Sequence, residues 1–102
     1  NTAVEVQVKN VDGENMAAVK VYQLSQEDFN NHGSNTSYAD QEAITDTGGL
    51  VSFIINDSFF NSGGQKPFYF VSKYVFQSSL KSKYKAALVS RGTTQRVSLI
   101  LD

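Results

Sequence analysis

The chain contains no cysteine. That one absence removes disulfide staples, thiolate zinc sites and cysteine nucleophiles together. It leaves the compartment open, because a domain of 102 residues folds in an oxidising space without a disulfide. Charge is also scarce: charged residues make up 19% of the chain and the formal net charge is −1. A nucleic-acid surface calls for a strongly basic face, and this balance gives no electrostatic reason to propose one. No apolar run approaches the ~20 residues of a membrane-spanning helix. There is one proline, Pro67, and one histidine, His32. Glycine and proline are too few for a low-complexity chain, and a 12% aromatic content argues against disorder. The sequence begins at Asn1 rather than methionine and shows no signal peptide. We read it as a processed or trimmed chain, so that any targeting segment lies out of view.

What is present is alternation. One domain is expected at this length, burying roughly 65% of its unfolded surface around a single core. The stretch Thr45-Asp46-Thr47-Gly48-Gly49-Leu50 is turn chemistry. Asp46 closes a side-chain turn, and Gly48-Gly49 offer the positive φ values of a tight reversal. A strand over Leu50–Asn56 follows, with Val51, Phe53 and Ile55 on one face. Upstream, Val4, Val6 and Val8 alternate with Glu5, Gln7 and Lys9 in a half-buried strand. Asp12-Gly13 is the next turn. Ala17, Val19 and Val21 then form a second stripe that Leu24 extends. The linker between these strands suits either a hairpin or a crossover between sheets.

Ser25–Ser37 is polar and reads as a solvated connector. Ser25 is placed to cap a short helical turn with Asp28 three residues on. Tyr38–Thr45 is expected as a charged edge strand, and 57–66 as a loop carrying Phe59, Phe60 and Gly63-Gly64. Pro67 sits just before a strand over Phe68–Phe76 that is apolar on both faces, which predicts a central strand with a covered outer side. Gln77–Lys85 is polar and basic, a solvated loop or edge. Lys81, Lys83 and Lys85 would share a face if it were a strand. Ala86–Ser90 and Gln95–Leu101 complete the set, the last with Val97, Leu99 and Leu101 in phase. The fold class expected is all-β: an antiparallel two-sheet sandwich of about seven strands, prealbumin-like or Ig-like.

The run Val6-Gln7-Val8-Lys9-Asn10-Val11-Asp12-Gly13, then Met16–Tyr22, then Thr45–Phe53 resembles the prealbumin-like (transthyretin-like) sandwiches of the carboxypeptidase-regulatory-like and Cna-B type. Tyr84 and the closing Val97-x-Leu99-x-Leu101 strand are similar too. Bacterial Ig-like repeats share much of the pattern. The resemblance implies a non-catalytic surface, cell-wall or outer-membrane module. The expectation is an extracytoplasmic bacterial domain (cell-surface, periplasmic, secreted or part of a lipoprotein) acting as a spacer or as an adhesion or glycan-associated accessory domain. Its partners would be other domains of the same polypeptide, surface proteins or glycans, with no cofactor. In Cna-B domains a buried lysine on the first strand attacks an Asn or Asp on the last, helped by a buried acid. Lys9 and Asp102 lie near those positions. Lys9, however, alternates out of phase with the buried valines, and Lys73 stands where the acid would be.

No catalytic residue, metal ligand or cofactor-binding residue is expected. His32 in its Gly/Asn/Ser loop reads as a solvated histidine, and no nucleophile elbow accompanies it. Asp12, Asn15, Asp46 and Asp57 lack the spacing of a calcium loop and read as turn closers. Neither Gly-Gly pair is followed by the Lys-Ser/Thr and helix of a phosphate cradle. Asn35-Thr36-Ser37 and Asn56-Asp57-Ser58 fit the glycosylation acceptor pattern. Asp40 and Glu42 would share a strand face as a carboxylate pair, and a solvated edge explains them equally. The candidates for a ligand site are Phe59, Phe60 and Tyr69, whose rings could stack on sugar faces if displayed together.

Overall fold

The computed structural model describes residues 1–60 and 63–102. Its strands are β1 (Thr2–Lys9), β2 (Lys20–Ser25), β3 (Gln41–Ile44), β4 (Leu50–Ile55), β5 (Gln65–Phe76), β6 (Ser79–Ser90) and β7 (Thr94–Ile100). A short helix, α1 (Gln26–His32), follows β2, and 3-10 turns occupy Thr36–Tyr38 and Asp57–Phe60. The strands form two sheets, ordered β4-β1-β7 and β3-β2-β5-β6. All pairings are antiparallel except β1 with β7, which is parallel. The molecule is a β-sandwich. β1 and β2 lie in different sheets, so the linker between them is a crossover.

The core follows the alternation. Val4, Val6, Val8, Val51, Phe53, Ile55 and Leu99 from one sheet meet Val21, Phe68, Phe70 and Val89 from the other, with Val19 packed against them. The second stripe begins later than the pattern predicts. Ala18 adopts φ 60° and Ala17 is exposed, so regular strand starts only at Lys20. At the Asp46 turn, the carboxylate accepts from Gly48 N (2.8 Å) and Leu50 N (3.0 Å). Gly49 alone takes the positive φ there, at 76°; Gly48 does not. Thr45, buried before the turn, donates to Met16 O (2.7 Å) and accepts from Val19 N (3.0 Å), tying the crossover to the turn.

β5 is central, as its two apolar faces require. Phe68 and Phe70 enter the sandwich, while Tyr69 and the fully buried Val71 point outward. What covers the outer side is α1. Ser25 caps it, accepting from Asp28 N, and Phe29 stacks on Tyr69 at 3.8 Å with planes 5° apart. Leu24 is buried beneath it. Pro67 lies inside β5, paired with Leu88, rather than before it. It is one residue past the end of the β2 pairing at Phe68, so its missing N–H leaves no partner unpaired.

The largest departure from expectation is β6. It runs for 12 residues and pairs with all of β5 through a two-residue turn, Gln77-Ser78. Both turn residues are left-handed, with φ 51° and 66°. This is type I′ geometry without the glycine or asparagine that announces it.

Candidate functional site

The three candidate rings come from two elements: Phe59 and Phe60 from the 3-10 turn Asp57–Phe60, and Tyr69 from β5, on the face opposite Phe68. Phe60 is buried in the core beside Phe68. Phe59 is half-buried, with its ring edge-on to Phe68 at 5.3 Å. Tyr69 is on the opposite face, between Phe29 and Tyr84. The three do not form one patch. Phe59, the less buried of the pair, and Phe60 both line a recess of about 340 Å³, with Gln26, Glu27, Gln65, Lys66 and Pro67 also in its wall. The start of α1 supplies Gln26 and Glu27, and the start of β5 supplies the others.

Lys66 organises this recess electrostatically. Its ammonium lies 2.6 Å from Glu27 Oε1 and 5.8 Å from the centre of the Phe59 ring. Asp40 adds to the negative side. Its carboxyl is pushed above the ordinary 3.8 by burial, then by the charges of Asp28 and Glu27. An aromatic face, two side-chain amides and a lysine–glutamate pair suit a neutral, hydroxyl-rich ligand better than a charged one.

Asp40 is not part of a pair with Glu42. It precedes β3, while Glu42 is on the strand and approaches Lys20 at 4.0 Å. The charges that raise the pKa of Asp40 are Asp28 and Glu27 of α1, and Lys66 of β5 opposes them. His32 stacks on Tyr38 at 3.6 Å. Asp57 faces Arg91 at 3.6 Å, and Asn15 accepts from Gln7. Among the described residues no group of three or more His, Cys, Asp or Glu is placed to hold a metal ion.

No protein-family model and no curated protein matches this chain.

Asp102 is held by three side chains of the β5–β6 hairpin. It accepts from the Tyr74 hydroxyl at 2.8 Å and lies 3.4 Å from Lys81 and 3.6 Å from Lys83. The carboxylate that the resemblance would pair with Lys9 is thus engaged by the β5–β6 hairpin. Sequence reasoning missed two features. One is what covers the outer face of β5: the two apolar faces predicted a cover, and the Ser25/Asp28 capping pattern was the trace of the helix whose Phe29 joins Leu24, Tyr69, Val71 and Tyr84 there. The other is the exposed length of β6, whose trace was the alternation of Lys81, Lys83 and Lys85.

Proposed function

We propose that this chain is a non-enzymatic, prealbumin-like module of an extracytoplasmic bacterial protein, serving as a spacer between neighbouring parts of one polypeptide. Strand order supports the prealbumin-like type. In an Ig-like sandwich the first two strands share a sheet; here β1 and β2 are in opposite sheets. The surface location rests on the sequence resemblance.

One observation carries the spacer reading: β1 and β7 are adjacent and parallel, with Ala3 beside Thr94 and Lys9 beside Ile100. The chain therefore enters at one end of this pair and leaves at the other, roughly 30 Å apart along the strands. Tension applied through the two ends shears β1 against β7 and loads every rung of the ladder together. Antiparallel neighbours pulled at one end would open rung by rung.

The test is single-molecule extension. Pulled through residues 1 and 102, the domain unfolds in one event that releases about 300 Å of chain. Pulled through Asn1 and Asn56, which lie beside each other at one end of the β1–β4 pair, it opens at a markedly lower force. Equal forces in the two geometries contradict the reading.

The recess beside Phe59 favours a second reading, a carbohydrate-binding accessory domain. Phe59→Ala then abolishes binding to any oligosaccharide retained on a glycan array. An array with no retained glycan removes this reading and leaves the spacer untouched.

A further inference from the structure

The free edge of β6 carries an inference independent of the spacer reading. β6 pairs only with β5 and forms the margin of its sheet. The ladder continues at Arg91 N, which donates to Gly64 O at 2.7 Å, in register with Gln65 opposite Ser90. In an antiparallel ladder, bonded and outward-facing residues alternate. Odd-numbered residues of β6 therefore bond inward to β5. The N–H and C=O groups of Leu80, Ser82, Tyr84, Ala86 and Leu88 face outward.

The molecule itself fills the upper end of this edge. The Gln95 side-chain amide donates to Leu88 O (3.0 Å) and accepts from Ser90 N (2.8 Å), as a peptide group of an added strand would. From Leu80 to Ala86 no such cover exists among the described residues. The open stretch is about 23 Å long.

Side chains along it sort by face. Leu80, Tyr84 and Leu88 stand on the outer face, 74%, 53% and 55% exposed. Lys81, Lys83 and Lys85 stand on the other. Asp102 already lies against two of these lysines and shows a carboxylate seated on the row. Three lysines against one carboxylate leave the row positive.

We propose that the Leu80–Ala86 edge docks an extended peptide segment of another polypeptide whose residues alternate acidic and apolar. Backbone groups of the segment complete the ladder. Its acidic side chains fall beside Lys81, Lys83 and Lys85, and its apolar ones beside Leu80 and Tyr84. A second copy of this chain is a poor occupant. In any register of β6 on β6 that keeps the apolar faces together, the two lysine rows share one face and repel.

The probe is a seven-residue peptide alternating glutamate and valine, added to the full chain while backbone amide NMR shifts and hydrogen exchange are recorded. Shifts confined to residues 79–88, with slowed exchange at Leu80, Ser82, Tyr84 and Ala86, are expected, together with weaker binding at high salt. Ser82→Pro removes an outward N–H and no bond to β5, so the fold persists while binding is lost. Lys83→Glu with Lys85→Glu weakens binding roughly tenfold and confers affinity for a lysine–valine peptide.

Five results overturn the proposal. They are no shift at millimolar peptide, shifts centred elsewhere, undiminished binding by the Ser82→Pro variant, equal binding of a scrambled peptide, and dimerisation through β6 without peptide. A sixth is binding of an acidic oligosaccharide to the lysine row that matches the peptide's and is insensitive to Ser82→Pro.

Discussion

Replacing Gly49 with alanine tests how tightly the Asp46 turn is locked into the sandwich. At φ 76° an alanine is strained wherever it sits, at a cost of about 1–2 kcal/mol. Here it is also crowded. A Cβ at this position comes within 2.8 Å of Val8 O, 2.8 Å of Gln7 Nε2 and 3.0 Å of Met16 N. The Gln7 amide can swing aside only by giving up its bonds to Gly48 O (2.8 Å) and Asn15 Oδ1 (3.2 Å). The other two atoms are backbone and are bonded to each other, Met16 N donating to Val8 O at 2.9 Å. Val8 N in turn donates to Gly49 O at 2.8 Å, so the turn cannot retreat without opening the β1–β4 ladder. Displacing such packed neighbours costs a further ~1–3 kcal/mol. The expected loss is about 3 kcal/mol, a large part of the ~5–15 kcal/mol available to a domain of this size. A urea titration followed by circular dichroism measures it, and Tm falls by roughly 12–24 °C. Gly48→Ala is the internal control. Its φ is ordinary and its Cβ would meet only Asp46 Oδ1, at 3.4 Å. It is expected to cost less than about 1 kcal/mol. Equal losses at the two glycines, or a loss below about 1 kcal/mol at Gly49, refute the argument.

Thr45→Val removes a buried hydroxyl that serves both Met16 O and Val19 N, at a cost of about 2 kcal/mol in chemical denaturation; Thr45→Ser recovers most of it. Gln77→Asn combined with Ser78→Gly relieves two left-handed residues and should stabilise by about 1–2 kcal/mol, read as a higher urea midpoint. Tyr74→Phe tests pH dependence at both extremes. Burial, then the hydrogen bond to Asp102, raises the phenol above its ordinary 10.0, so the stabilisation is whole below pH 10 and is lost as pH climbs through the raised value. Asp102 is held below its ordinary 3.8 by Tyr74 first and Lys81 and Lys83 after it. Its contribution is whole above about pH 4 and is lost as pH falls through the lowered value. Thermal melts across pH should show a steeper alkaline decline in the parent than in Tyr74→Phe, and a smaller acid-side difference of the same sign.

Much of the sandwich was legible because burial on one face writes period two into the sequence. Val4-Val6-Val8, Val51-Phe53-Ile55 and Val97-Leu99-Leu101 each appear as strands in the expected phase. β5 was legible as central because Phe68 and Phe70 alternate with Tyr69 and Val71, and both sets are covered. The failures have physical causes. Ala17-Val19-Val21 has the strand period, but Ala18 turns left-handed where its N–H bonds to Thr45 O at 3.1 Å, and nothing local encodes that. α1 spans seven residues, too few to be stable alone, and exists because Phe29 finds Tyr69. Phe59 and Phe60 sit in a polar stretch that suggests display, yet both pack on Phe68, and only their burial distinguishes anchor from ligand platform.

The reason the first half of β6 could be read as either loop or edge strand bears on what it does. A strand declares itself by hiding one face, and Ser79–Ala86 hides neither: all of these residues are exposed, with lysines on one face and Leu80 and Tyr84 on the other. It is a strand because β5 runs twelve residues and the hairpin closes on it, not because of its own burial. Isolated apolar exposure on a free edge invites aggregation, and regularly spaced lysines are a usual defence. Here the defence leaves the backbone groups of the edge open while making one face positive. The Gln95 amide shows that the edge accepts a strand-like partner where one reaches it. An edge whose lysine row disfavours a second copy, with its backbone groups open, is what the proposed docking of an oppositely charged strand requires.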